Sequence, residues 1–170
     1  MSILDAARKL IVAEAEAVAA LADRLDSSFE QAVRMILTSR GRVVVTGMGK
    51  SGLICKKIAS TFSSTGTPAI FLHPADSLHG DIGMLQKGDV AVVVSNSGET
   101  EEVIKIIPVI KRMSIPAIVI TGGASSTLAR YADIVLNVCV DEACPYNVVP
   151  TSSTTPTLAL GDALASALME

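Results

Sequence analysis

Aromatic side chains are nearly missing from this sequence: its 170 residues include no Trp, two Tyr and three Phe. A core of any size must therefore be aliphatic, and without a stacking platform single-stranded nucleic acid is a poor ligand. Basic character is missing too. The net charge is −3 and no segment gathers Lys or Arg, which leaves no footprint for a phosphate backbone. Cysteine is confined to Cys55, Cys139 and Cys144, with no CxxC pair. An odd count at that spacing speaks against a disulfide framework or a zinc knuckle. No apolar run reaches the roughly 18–20 residues of a membrane span. Residues 1–10 interleave Asp5, Arg8 and Lys9 with apolar positions, unlike a secretory signal. These absences make a reducing, cytoplasmic setting the expectation, with neither nucleic acid nor membrane as partner.

What is present is an aliphatic globule: 49% of residues are apolar and 18% charged, in a length suited to one domain over residues 1–170. Residues 3–25 read as one long helix, with Leu4, Ala7, Ile11, Ala15, Val18, Leu21 and Leu25 at helical spacing and Ser2/Asp5 as a capping box. Ser27 and Glu30 repeat that pattern for a second helix, which Gly41 ends. Five short β-branched runs follow, at Val43–Thr46, Ala69–Leu72, Val90–Val94, Ala117–Ile120 and Ile134–Val138. Unbroken apolar runs of this kind are strands buried on both faces. Helical stretches at 51–63, 99–113 and 127–131 separate them, and a last helix spans about 155–168. The βαβα order predicts a three-layer α/β/α sandwich around a five-stranded parallel sheet. Ligands of such sheets bind beyond the carboxyl ends of the strands.

The residues following the strands fit that rule. After the first comes Thr46-Gly47-Met48-Gly49-Lys50-Ser51-Gly52. A Walker A loop would need Gly at position 44, which is Val, so that reading fails. A dinucleotide fingerprint matches at Gly47, Gly49 and Gly52, but His73 closes the next strand where an acid would hold the ribose. A plain tight β–α turn is the third alternative, and common to all three are amides aimed at an anion. After the third strand, Ser95-Asn96-Ser97-Gly98-Glu99-Thr100-Glu101-Glu102 puts three hydroxyls at a helix start, where a cap needs only one. Together with the helix dipole they describe a phosphate cradle, expected to hold phosphate against Ser51, Ser95, Ser97, Thr100 and residues 152–155. Thr151-Ser152-Ser153-Thr154-Thr155 repeats the theme at the last helix. The two histidines, His73 and His79, both follow the second strand; Glu142 follows the fifth, and Glu102 sits in a first helical turn.

Taken together, these segments resemble the sugar isomerase (SIS) domain, and within it the arabinose-5-phosphate isomerases. Ser-Asn-Ser-Gly-Glu is the broad signature. The narrower match rests on Gly47–Gly52, on Ser64-Thr65-Gly66-Thr67-Pro68 with His73-Pro74, on His79-Gly80-Asp81-Ile82-Gly83-Met84, and on Glu142-Ala143-Cys144-Pro145 with the 150–155 segment. The resemblance implies a flavodoxin-like fold and interconversion of D-arabinose 5-phosphate and D-ribulose 5-phosphate, feeding Kdo synthesis for lipopolysaccharide or capsule. It implies no organic cofactor. Lys50, His79, Glu102 and Glu142 match the family's catalytic positions; Gly49, Ser51, Gly66, Thr67, Ser95, Ser97, Thr100, Ser152, Ser153 and Thr154 match its substrate contacts. His73 matches a position where a metal such as zinc can bind as an inhibitor. The family often has His and Gly-Arg where Leu53 and Cys55-Lys56 stand here, and carries a further active-site His in a Ser-His-Pro-Gly-Gly segment that residues 1–170 do not contain.

An aldose–ketose isomerase moves a proton between C1 and C2 through an enediol. Lys50 suits the developing oxyanion, and Glu142, Glu102 and His79 are the acid and base candidates. The competing class is a non-catalytic phosphosugar sensor, which needs only the phosphate grip. Two expectations concern assembly: a homo-oligomer, dimer or tetramer, held partly by residues 3–25, and His79 carried by an outward-swinging 72–78 loop into a neighbouring subunit's site.

Overall fold

The computed structural model describes residues 2–140 and 153–170. Two helices, α1 (Ile3–Ala22) and α2 (Ser27–Leu37), precede strand β1 (Val43–Gly47). There follow α3 (Gly49–Ser64), β2 (Ala69–Leu72), a short α4 (Pro74–Ser77), a 3-10 turn (Asp81–Met84) and β3 (Val90–Val94). The chain continues through α5 (Glu101–Arg112), β4 (Ala117–Thr121), α6 (Thr127–Tyr131), β5 (Ile134–Asn137) and α7 (Thr154–Ala167). All strand pairs are parallel, in the order β2-β1-β3-β4-β5. That is the flavodoxin-like doubly wound order, with its switch point between β1 and β3.

Alternation along each strand divides the core in two. Val43, Val45, Val92, Val94, Ile118, Ile120 and Leu136 face one side and pack with Ile58, Phe62, Leu160 and Leu164 of α3 and α7. Val44, Ala91, Val93, Ala117 and Val119 face the other side, against Val103, Ile106, Ile107 and Ile110 of α5. Helices on both faces explain why the strands read as continuous apolar runs. Phe62 is the one fully buried aromatic among the largest core side chains, as an aliphatic core requires.

Helix ends follow the capping chemistry, but both ends of the second helix are shifted. Ser2 Oγ accepts from Asp5 N at 3.1 Å and Asp5 Oδ2 accepts from Ser2 N at 3.2 Å, the reciprocal box read from the sequence. The second helix, however, is capped by Asp26, whose Oδ1 accepts from Ser28 N at 2.8 Å; Ser27 is already helical. A carboxylate is the stronger acceptor for an orphan amide. Gly41 does not end that helix either, since Thr38 is its C-cap. Its hydrogen belongs to a different constraint: a Cβ there would lie 2.4 Å from Asp89 Oδ1 and 2.6 Å from Asp89 N. The 72–78 segment, expected as a swinging loop, is instead pinned as α4, with Ser77 buried and its hydroxyl donating to His73 O at 2.8 Å.

Cys55 lies fully buried under β1, and burial pushes its thiol from an ordinary 9.0 up to about 12. A raised thiol pKa gives stability that is complete below pH 9 and is lost as pH rises towards 12. The loss amounts to about 4 kcal/mol at most. Urea melts of the wild type and Cys55→Ala across pH 8–11 are expected to diverge with the wild type falling more steeply. Parallel slopes would mean that the thiol is solvated.

Candidate functional site

Three helices begin at the carboxyl edge of the sheet around the switch point: α3 after β1, α5 after β3, and α7. Their first turns enclose a cavity of about 240 Å³ lined by Ser51, Asn96, Ser97, Thr100, Ser153 and Thr154. Two further lining residues, Ile54 and Thr157, lie one helical turn beyond Ser51 and Ser153. The sequence reading missed Asn96, Ile54 and Thr157. Helical spacing from a cradle residue, and Asn96's place between two serines, are the signals that could have found them.

These three helices start without a side-chain cap bond, as the four-residue α4 behind His73 also does. The N-caps of α1, α2 and α6 (Ser2, Asp26 and Ser126) each accept an amide hydrogen bond through their side chain. Met48, Thr100 and Ser153, which cap α3, α5 and α7, make no side-chain cap bond. In α3 and α5, helix-start amides without a side-chain cap are donors suited to an anion, and the dipole of each helix adds to the attraction. Ser153 Oγ is buried with no hydrogen-bond partner, at a residue that lines the cavity. An orphaned buried hydroxyl is costly unless a ligand satisfies it.

The 95–100 loop is held from within and from behind. Ser95 Oγ pairs with Thr100 Oγ1 at 2.8 Å and accepts from Gly98 N at 3.1 Å. Ser97 Oγ accepts from Glu99 N at 3.2 Å, so Ser97 shapes the loop and does not cap α5. Ser95 is thus a buried support, while Ser97 and Thr100 line the cavity.

Lys50 is exposed in the first turn of α3, and Glu102 is half-buried in the first turn of α5. Gly49 opens α3 with φ +58°. Glu99 accepts from Thr127 N at 2.7 Å, and this bond, with the Thr127 side chain and the Arg130 charge, holds its carboxyl below the usual range. Glu101 pairs with Lys105 at 2.6 Å.

Gly49, Lys50, Ser95 and Glu102 adjoin this cavity in sequence without lining it, and four other expected residues lie away from it. Gly66 and Thr67 precede β2 and line a separate cavity with Gly41 and Pro68. They therefore sit at the amino edge of the sheet, across from the cradle, and within one chain do not belong to it. His73 follows β2, the edge strand, and His79 is exposed beyond α4. His73 Nδ1 lies 3.6 Å from Asp76 Oδ2. Among the described residues no group of three His, Cys, Asp or Glu side chains gathers to hold a metal. Two donors fall short of the three or four protein ligands that zinc takes, and no chemistry is routed through a metal here. Glu142 and Ser152 lie outside the described residues. No described helix is long and apolar enough to cross a membrane.

Comparison with known proteins matches the SIS domain model over residues 36–167. An arabinose 5-phosphate isomerase, KdsD, of Pseudomonas aeruginosa is 50% identical over 171 residues, covering 100% of this chain and 52% of that protein. The KdsD of Francisella tularensis is 52% identical over 161 residues, covering 92% of this chain and 49% of its own. The chain thus spans about half the length of the curated relatives it matches. Among solved structures, that of an Escherichia coli CFT073 protein in complex with arabinose 5-phosphate superposes with a TM-score of 0.94 at 37% identity, covering 99% of this chain and 92% of that one.

Proposed function

The chain belongs to the SIS domain family, and we propose that it is an aldose–ketose isomerase interconverting D-arabinose 5-phosphate and D-ribulose 5-phosphate. One observation carries this reading: three helix starts whose N-caps make no side-chain bond meet at one hydroxyl-lined cavity, with Lys50 and Glu102 in the first turns of two of them. Relatives named as arabinose 5-phosphate isomerases support the substrate. In this reading the cradle grips the phosphate, far from the reacting carbons, and that binding energy positions C1 and C2. Lys50 stabilises the oxyanion of the enediolate. Glu102, Glu142 and His79 share the removal of the C2 proton and its return to C1. The protein works in the cytoplasm and supplies Kdo synthesis for lipopolysaccharide or capsule.

Assembly completes the proposal. Ile3, Leu4 and Ile11 of α1 are 89%, 65% and 68% exposed, an apolar stripe that a second copy would cover in a homodimer or homotetramer. A neighbouring subunit is also where the exposed His79 finds its substrate. The reaction test is the conversion of arabinose 5-phosphate followed by proton NMR, with ribulose 5-phosphate as the expected product. Binding without turnover would make the chain a phosphosugar sensor. Given turnover, His79→Ala and Lys50→Met homo-oligomers are each expected to be inactive. Mixed and allowed to exchange subunits, they should recover up to about a quarter of wild-type activity, because some sites inherit both intact groups. A mixture that stays inactive after light scattering and mass labelling prove exchange would place His79 in its own subunit's site.

A further inference from the structure

Three neighbouring carboxylates, Glu99, Glu101 and Glu102, invite a single explanation as helix-dipole partners of α5, but only two of them lie on the helix. Glu101 and Glu102 are in its first turn, whereas Glu99 precedes the N-cap Thr100. The Glu99 side chain turns away to another element, where Oε1 accepts from Thr127 N, the first helical residue of α6, at 2.7 Å. Beside it, Gly98 O accepts from Leu128 N at 3.1 Å. Two residues further back, Asn96 O accepts from Gly122 N at 2.9 Å and from Thr121 Oγ1 at 3.2 Å. The donors Thr121, Thr127 and Leu128 are absent from the cavity lining, yet they hold both ends of the Ser97–Gly98 corner. Arg130 reinforces the far side, donating to Thr127 Oγ1 at 2.9 Å and to Ser125 O at 2.8 Å.

We infer that Glu99 is a positioning residue: its carboxylate clamps the 95–100 loop to the start of α6 and so sets the Ser97 and Thr100 hydroxyls for the phosphate. The other ties behind the loop run through backbone groups of Asn96 and Gly98, so Glu99 is where a side chain of the loop itself engages α6. The bond is charge-assisted, and such bonds are roughly twice as strong as neutral ones. The inference rests on the phosphate-cradle part of the reading above and does not depend on which acid or base moves the proton.

The test uses the whole chain, with inorganic phosphate titrated by calorimetry and arabinose 5-phosphate turned over. Glu99→Ala is expected to weaken phosphate binding and raise KM about tenfold, with kcat within about twofold. Glu99→Gln keeps an acceptor and should return both to within about threefold of wild type. Thr127→Pro removes the donor instead. The first helical position tolerates Pro, and Ser126 before it already has the extended backbone that a following proline demands, with ψ 168°. This variant should reproduce the alanine phenotype, and the double variant Glu99→Ala/Thr127→Pro should be no worse than either single one. Unchanged phosphate affinity in Glu99→Ala overturns the inference. So does a fall in kcat at constant KM, or a Glu99→Gln chain as weak as the alanine variant. Should Glu99→Ala fail to fold, the Thr127→Pro chain decides by the same affinity. Wild-type chain that binds phosphate without turnover would sink the isomerase reading alone; wild-type chain that binds no phosphate would sink both.

Discussion

Lys50→Met is expected to lower kcat for arabinose 5-phosphate by about 10²–10³-fold, the cost of removing one preorganised oxyanion partner, while leaving the fold as stable or more so. The second half of that expectation separates function from structure. Lys50 sits in the first turn of α3, which contains no acidic residue to offset it. A cation at the positive end of a helix dipole costs about 0.3–1 kcal/mol. The side chain is exposed, so little packing is lost with the charge. A residue kept where it destabilises its own helix is a candidate for chemistry, and its removal should trade activity for stability. Thermal melts beside steady-state kinetics test both halves. A variant that retains activity would remove Lys50 from the mechanism; one that melts early would give it a structural role that the exposed first turn does not reveal.

The sheet was legible because its signal is long-range and redundant. Each of the five β-branched runs coincides with a strand to within a residue or so, since a strand buried on both faces tolerates no polar interruption. The hydroxyl clusters were legible for a related reason: a helix start that lacks a side-chain cap still has to satisfy its amides, and Ser and Thr beside Gly announce where. What the sequence could not show lay in side-chain competition and in three dimensions. Asp26, Ser27 and Ser28 can all cap, and only the geometry selects Asp26. Four-residue α4 has no period to detect. Gly66 and Thr67 are near the cradle in motif order but precede their strand, and in a parallel sheet the side of the strand decides which edge a residue occupies. Glu99 and Glu101 are indistinguishable in a list of acids near a helix start; one engages α6 and the other Lys105.

Gly98→Ala is expected to be the most damaging single methyl in the molecule, costing about 2–5 kcal/mol of stability and most of the phosphate affinity. Gly98 has φ +68°, a left-handed conformation that costs an L-residue about 1–2 kcal/mol. The added Cβ would also lie 1.9 Å from Ser126 Oγ, 2.4 Å from Ser126 Cβ and 3.0 Å from Thr121 Oγ1. Overpacking of that kind adds about 1–3 kcal/mol. Neither neighbour can retreat freely. Ser126 caps α6 through the bond from Ala129 N at 3.3 Å, and Thr121 Oγ1 ties β4 to Asn96 O and Gly123 N. Relief must therefore come from the loop, which would withdraw Gly98 O from Leu128 N and carry Ser97 and Thr100 with it. The clash can be removed from the other side. Ser126→Gly deletes the two nearest atoms, and a Gly N-cap is only a few tenths of a kcal/mol worse than Ser. In the double variant the left-handed backbone cost and the 3.0 Å approach to Thr121 Oγ1 remain, so urea melts should recover about half of the lost stability and phosphate titration most of the lost affinity. A Gly98→Ala chain within about 1 kcal/mol of wild type, or a Ser126→Gly change that rescues nothing, would show that the loop is not held against α6 at the distance on which the cradle depends.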